Sequence, residues 1–455
     1  MVLCRCLSIA GIVPPVTLDE GRPVVILGAG LTGLSTALHL RRQPYVLAER
    51  EQRVGGKARS ERRDGYTFDV TGHWLHLRDD RVRALVRELF DPGQLVEIER
   101  RTGVYTHGVM LPYPIQANLG GLPTELVRDC LVDFVDARTR QARPDVPAPR
   151  SFREFVEARF GRGMADLFFV PYNTKLWGVG PEQLTPDWAS RFIPLPDTEQ
   201  VIAGALGLRQ EGLGYNVRFS YPRAGGIDHL PEAMAARLRG RDPEGIRVGC
   251  SAEEIDVVGR RVKLHGEDDW LAYRALVSTI PLPQLVARTP AAPAEVRDAA
   301  ASLRWVSWRY LDIATRRAPP IHEHWVYVPQ PHIPFFRVGV YTNALPAMAP
   351  PGAGSLYVEL ADRQGTPDMP TIVRHLVELG ALHEADDVVF HQLREIECAY
   401  VLFDDACAEA TATIHGWLAE VGAVRSCGRY GAWVYNSMED SIIQGMEAAA
   451  WASEA

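Results

Sequence analysis

The chain has 455 residues, is 46% hydrophobic and 23% charged, and carries a formal net charge of -8. That length supports two or three domains with cores of their own, and the acidic balance implies no basic face for nucleic acid. No apolar run reaches the ~20 residues that a membrane span needs. The seven cysteines, Cys4 and Cys6 among them, are scattered without metal-ligand spacing, so no metal site is expected. They read as reduced thiols in a cytoplasmic protein. Residues 1–21 carry one Arg and a short apolar stretch cut by Pro14 and Pro15; a loose N-terminal extension is favoured over a cleaved signal, because the first organised strand begins immediately after them.

The first organised stretch runs from Pro23 to Leu40. Val24 to Leu27 form a short β-branched apolar run that suits a buried parallel strand. The pattern G-x-G-x-x-G follows as Gly28, Gly30 and Gly33, and then a helix. Gly28 permits a tight turn, Gly30 a close approach of backbone to a pyrophosphate, and Gly33 close packing of helix on strand. The helix N-terminus offers free N–H groups and a positive dipole end to the phosphates. A second strand, Tyr45 to Ala48, ends in Glu49, where an acid can accept hydrogen bonds from a ribose. A second glycine turn, Gly55-Gly56, is followed by Lys57, Ala58 and Arg59. A nicotinamide-only domain has no need of it, whereas the longer FAD does. Tyr66, Phe68 and Val70 then alternate as a strand that closes on Gly72 and His73.

Residues 81–210 read as mostly helical. Ser151 and Glu154 form a capping box, Phe152, Phe155 and Val156 mark a buried helical face, and Pro171 is expected to end the segment. Arg247 to Gly266 reads as a β-meander, and Ala275 to Ile280 as a buried strand ending in the loop at Pro281. Alternating runs such as Trp325–Val328 and Leu356–Leu360 imply an antiparallel sheet. An alanine-rich helix closes the chain.

The motifs GAGLTGL, GGKARS and FDVTGHWLH, in that order, resemble the flavoproteins of the UDP-galactopyranose mutase group, within the amine oxidase and protoporphyrinogen oxidase superfamily. LPYPIQANL, VPYNTKLWGV, YPRAGGIDH, HWVYVP, FFRVGVYTN and GRYGAWVY extend the likeness over most of the chain. The resemblance implies an α/β fold: a discontinuous Rossmann-like FAD-binding domain (22–80, 215–285, 421–455), a helical substrate domain (81–214) and an antiparallel-sheet substrate domain (286–420). It implies non-covalent FAD, NAD(P)H as a reductant, and a small-molecule substrate. It puts Gly28, Gly30, Thr32, Gly33, Glu49, Gly55, Gly56, Lys57, Ala58 and Gly72 on FAD positions. His73 falls beside the isoalloxazine, Arg429 near the flavin, and Ser441 where the last helix meets it. Arg337 falls on a diphosphate arginine, and Tyr400 and Tyr435 on phosphate-binding tyrosines. Trp325, Tyr327, Asn173 and Trp177 fall on segments that line the sugar pocket. Two positions depart from the pattern: Val170 stands where a second diphosphate arginine belongs, and Ala344 where a third tyrosine belongs.

Two reactions follow from this set. One is non-redox isomerisation of a nucleotide-linked sugar, with reduced flavin as nucleophile. The other is an oxidase or desaturase reaction on a small apolar metabolite, in a pocket made more apolar by Val170 and Ala344. Lys57, Lys175 and Lys263 are the only lysines, so the later sheet brings none to the flavin, and an amine is the weaker form of the second reading.

Overall fold

The computed structural model of the protein describes residues 21–41, 43–189, 192–210, 212–213 and 217–454. The N-terminal extension, with Cys4 and Cys6, lies outside the described residues, as does the start of the segment expected at 215.

A five-stranded parallel sheet forms one half of the protein. Its order is Val424–Ser426, Ala275–Ser278, Val24–Leu27, Tyr45–Glu49 and Ile246–Val248. All four residues of Val24–Leu27 are buried, because helices and a small three-stranded sheet cover both faces. Each fully buried valine or leucine side chain contributes about 1.5–3 kcal/mol. The helix Leu31–His39 starts directly at Gly30 and packs along the last helix, Met438–Glu454. Gly445 makes that contact possible, since a Cβ there would sit 2.5 Å from the Thr32 carbonyl oxygen.

The second half is a seven-stranded sheet, ordered Val388–Val401, Trp305–Thr315, Gly354–Leu360, Phe335–Val340, Trp325–Tyr327, Thr102–Thr106 and Val109–Pro112. Its pairs are antiparallel except Trp325–Tyr327 with Thr102–Thr106. Helices Thr124–Gln141, Phe152–Met164, Val170–Trp177 and Thr198–Ala205 form a helical layer beside it. Lys175 ties the two together: its Nζ donates to the carbonyls of Val328 (2.8 Å), Gln330 (3.0 Å) and Phe335 (2.5 Å). These lie at the ends of, and in the loop between, the strands that carry Trp325, Tyr327 and Arg337.

Several local expectations need correction. Residues 81–210 are not helical throughout, because Leu95–Glu99, Thr102–Thr106 and Val109–Pro112 are strands. The last two form a hairpin with a two-residue turn at His107 (φ 52°) and Gly108 (φ 74°), a geometry that matches strand twist. Pro171 does not stop the helical run. A π-helical turn, Ala165–Phe169, resets the hydrogen bonding, so the proline falls in the first turn of Val170–Trp177, where no N–H is required. Ser151 accepts from the Glu154 N–H at 3.2 Å, but the Glu154 carboxylate bonds the N–H of Arg150, so the capping box is half formed. Arg247 belongs to the parallel sheet rather than the meander, and the loop at Pro281 opens directly into the helix Leu282–Ala287.

Candidate functional site

A cavity of about 480 Å³ runs from the first glycine loop to the seven-stranded sheet. Its walls include Gly28, Gly30, Thr32, Glu49, Gly55, Gly56, Lys57, Ala58, Gly72, His73, Trp325, Tyr327, Arg337, Tyr400, Arg429, Tyr435 and Ser441, so one space gathers nearly every residue singled out in the sequence. Gly33, Asn173 and Trp177 are not on its wall. A Cβ at Gly33 would collide with the Gly28 carbonyl oxygen, which makes it a packing glycine. The Asn173 amide is used inside its helix, donating to the Phe169 carbonyl (2.7 Å) and accepting from Trp177 Nε1 (3.1 Å). Trp177 is fully buried and edge-on to Tyr400. Val170 and Ala344 also lie off the wall, so they do not set the polarity of the cavity directly.

The cofactor end is built from backbone. The Gly55 N–H donates to the Ala29 carbonyl at 2.8 Å, zipping the two glycine turns together. Gly56 has φ 60°, and a Cβ on it would sit 3.1 Å from Gly30 Cα. Glu49 Oε2 accepts from the Ala29 N–H (2.7 Å) and Oε1 from the Glu51 N–H (3.0 Å), so the strand end fixes the carboxylate at the cavity. Burial, and then the neighbouring Arg59, pull the Lys57 ammonium down.

His73 hangs from a constrained loop. Thr71 has φ 60°, a rare conformation for a β-branched residue. The Tyr341 hydroxyl holds it, donating toward the carbonyls of Asp69 (2.8 Å) and Thr71 (3.2 Å). His73 Nδ1 is enclosed, and the ring lies against the backbone of Val70 and Thr71. Burial, followed by the positive charge of Arg429, takes its pKa to about 4, so the imidazole is neutral at physiological pH. Arg429 stacks on the rings of Tyr400 (4.4 Å) and Tyr435 (5.0 Å) and stays charged.

At the sheet end, Arg337 is forked on Glu359, with Nε to Oε2 and Nη2 to Oε1 both at 2.6 Å. Glu359 is fully buried, whereas the Arg337 side chain is 17% exposed at the cavity. Sequence reasoning missed Glu359, although it stands opposite Arg337 on the neighbouring strand and within a run already read as a strand. It also missed Trp74, whose indole stacks on Trp325 at 5.9 Å, and Tyr357, which occupies the space left by Gly339 across the strand pair. The Trp74 indole N–H lies beside the Tyr357 hydroxyl, while that of Trp325 has no partner among the described residues.

The residues present fit a flavin dinucleotide: a backbone cradle that a Cβ would narrow, an acid at the end of the second strand, and an enclosed ring nitrogen on His73. A family model for flavin-containing amine oxidoreductases matches residues 31–450. The chain belongs to this family. The proteins it is similar to include a mutase and oxidases. A crystal structure of reduced UDP-galactopyranose mutase superposes with TM-score 0.85 at 26% identity, covering 94% of each chain. A putrescine oxidase variant shares the fold, with TM-score 0.66 at 16% identity over 95% of this chain and 99% of that one. In sequence, protoporphyrinogen oxidase 2 of Arabidopsis thaliana is 24% identical over 245 residues, 48% of each protein. The chain thus spans about half the length of that curated relative. The family and the mutase-like fold read from the motifs are borne out. Among the described residues, no group of His, Cys, Asp and Glu could hold a metal, and no helix is long and apolar enough to cross a membrane.

Proposed function

We propose that this flavoenzyme isomerises a sugar, with a nucleotide-linked sugar as substrate class, at a reduced, non-covalently bound FAD. The observation that carries the reading is the grouping of Arg337, Arg429, Tyr400 and Tyr435 in one cavity with a neutral His73, within a chain whose likeness to a reduced UDP-galactopyranose mutase extends over nearly its full length. Segments 22–80, 215–285 and 421–455 are taken as the cofactor domain, 81–214 and 286–420 as the substrate domains.

The chemistry supplied by bound, reduced flavin is a nucleophilic ring nitrogen. The residues of the chain position and balance it. His73, neutral and on the cavity wall, can hydrogen-bond a ligand there without adding charge. Arg429, fixed between two tyrosine rings, supplies a permanent positive charge in the same cavity and favours an anionic ligand or ring. Arg337 has part of its guanidinium free beyond the Glu359 fork and can donate to a phosphate or hydroxyl oxygen. Trp74, Trp325, Tyr327 and Tyr357 give the remaining wall aromatic faces that exclude water.

One observation favours the alternative of an oxidase or desaturase: Glu359 already neutralises Arg337, which weakens the case for a diphosphate. The two are separated by incubating the dithionite- or NAD(P)H-reduced protein with a panel of UDP sugars under nitrogen and analysing ring size in the products. Ring-size change only after reduction supports the isomerase. Substrate-dependent bleaching of the oxidised flavin, with peroxide formed in air, would replace it with the oxidase.

A further inference from the structure

Asn436 is a buried polar side chain on the cavity wall with no part in the chemistry proposed for His73, Arg429 and Arg337. It follows Tyr435 and stands two residues before the Met438–Glu454 helix. It is 4% exposed, it lines the cavity, and neither its Oδ1 nor its Nδ2 has a partner among the described residues. The groups beside it are engaged. Its own carbonyl accepts from Arg429 Nη1 at 3.0 Å, the Ser437 hydroxyl donates to Asp440 at 2.9 Å, and the Tyr435 hydroxyl meets that of Tyr400 at 3.4 Å. Buried carboxamides are almost always satisfied in native proteins, because leaving one unbonded costs its full desolvation. This one, facing a ligand cavity, is poised for a bonding partner that the ligand brings.

We propose that Asn436 reads an imide edge, and that this edge is the pyrimidine edge of the bound flavin. A primary carboxamide presents a carbonyl acceptor beside N–H donors. An imide presents the complement, an N–H flanked by carbonyls, so the two form a paired set of hydrogen bonds. A uracil base carries the same edge, but the surroundings of Asn436 favour the cofactor. Its carbonyl fixes Arg429, and the helix it leads into carries Ser441 and packs on the helix of the first glycine loop, where the Ser35 hydroxyl donates to the Ile442 carbonyl at 2.7 Å. The proposal rests on the flavin and is independent of whether a sugar is the substrate.

The test uses the full chain stripped of flavin, with N436L and N436D variants. FAD binding is titrated by quenching of flavin fluorescence, UMP binding to the reloaded protein by calorimetry, and apo-protein unfolding by heat. Leucine removes the unbonded amide, so N436L is expected to raise the apo-protein unfolding midpoint while weakening FAD at least tenfold. N436D keeps the volume but loses the donor pair, and it too is expected to weaken FAD at least tenfold, which gives the reading if the leucine variant does not fold. UMP affinity of the reloaded variants is expected to match wild type. Unchanged FAD affinity in the folded variants overturns the proposal. If UMP affinity then falls tenfold, the edge being read belongs to a substrate base. Failure of the wild-type chain to bind FAD would overturn the flavin reading itself, and the proposal with it.

Discussion

Replacing Glu359 by glutamine separates two properties that the Arg337–Glu359 pair combines. The carboxylate is fully buried and accepts two guanidinium bonds of 2.6 Å, while Arg337 is 17% exposed on the cavity side. Burial raises the Glu359 pKa and the guanidinium beside it opposes that rise. Removing one member of a buried ion pair costs about 3–5 kcal/mol, because the other charge is left uncompensated. Access of Arg337 to the cavity places the expected cost at the lower end, about 3 kcal/mol, still a large share of a total stability of about 5–15 kcal/mol. The freed part of the fork gains an anion in exchange. A charge-assisted bond contributes about 1.5–3 kcal/mol, so one bond regained by a phosphate strengthens UDP binding by about ten- to a hundredfold. Equilibrium urea unfolding measures the first effect and calorimetry with UDP the second. The reasoning predicts lower stability together with tighter UDP binding. Lower stability with unchanged UDP affinity would refute the claim that Arg337 addresses a phosphate. Unchanged stability would refute the buried pair as an energetic unit.

The two kinds of glycine in the first loop should respond differently. Gly30 has φ -73° and room for a Cβ, so Gly30→Val is expected to fold and lose flavin, read as a colourless protein with a near-normal unfolding midpoint, whereas Gly33→Ala is expected to lose solubility or stability outright. Acidification should destabilise the protein between pH 6.5 and about 4. His73, His76 and His324 all have pKa values depressed from 6.5 to about 4, so the unfolded chain binds more protons in that window, and chemical denaturation across it should show stability rising with pH. Burial without a facing carboxylate takes the Lys175 pKa from 10.5 to about 7, so its contribution to stability rises between pH 7 and 10.5; Lys175→Met should remove that part of the slope and lower stability at neutral pH through three unbonded carbonyls. Val170→Arg, at the head of the Val170–Trp177 helix and off the cavity wall, is expected to raise UDP-sugar affinity only if the side chain can reach the cavity, and a titration with no gain would assign that position to the helical layer.

The cofactor end was legible because each of its residues answers a local demand. A turn, a close approach and a helix start fall within six residues, Gly28 to Gly33, and the strand ending in Glu49 follows at fixed spacing. Such demands are written in sequence order, and the structure keeps them. The end of the cavity at the seven-stranded sheet depends on pairings between distant strands. Arg337 meets Glu359 only through the register of Phe335–Val340 with Gly354–Leu360, and Trp74 meets Trp325 only when the two halves of the chain come together. Asn173 shows the opposite failure. Its motif suggested a pocket residue, but the helix that carries it turns the amide inward, onto Phe169 and Trp177. Pro171 misled for a related reason: a proline ends a continuing α-helix but is at home in the first turn of a new one, and the π-helical turn before it makes that first turn. The Thr102–Pro112 hairpin carried a usable signal, the His107-Gly108 turn between β-branched residues, inside a segment otherwise dominated by helical spacing.

The central claim is that the flavin works without net electron transfer. The most direct measurement counts reducing equivalents and product in the same anaerobic sample. A stoichiometrically reduced protein is mixed with excess UDP sugar, product ring size is determined over many turnovers, and the flavin spectrum is followed throughout. The account predicts many product molecules per flavin, with the reduced spectrum retained and no reductant consumed. Reoxidation of the flavin in step with product, or product formed only from the oxidised protein with an equivalent of peroxide in air, would contradict it.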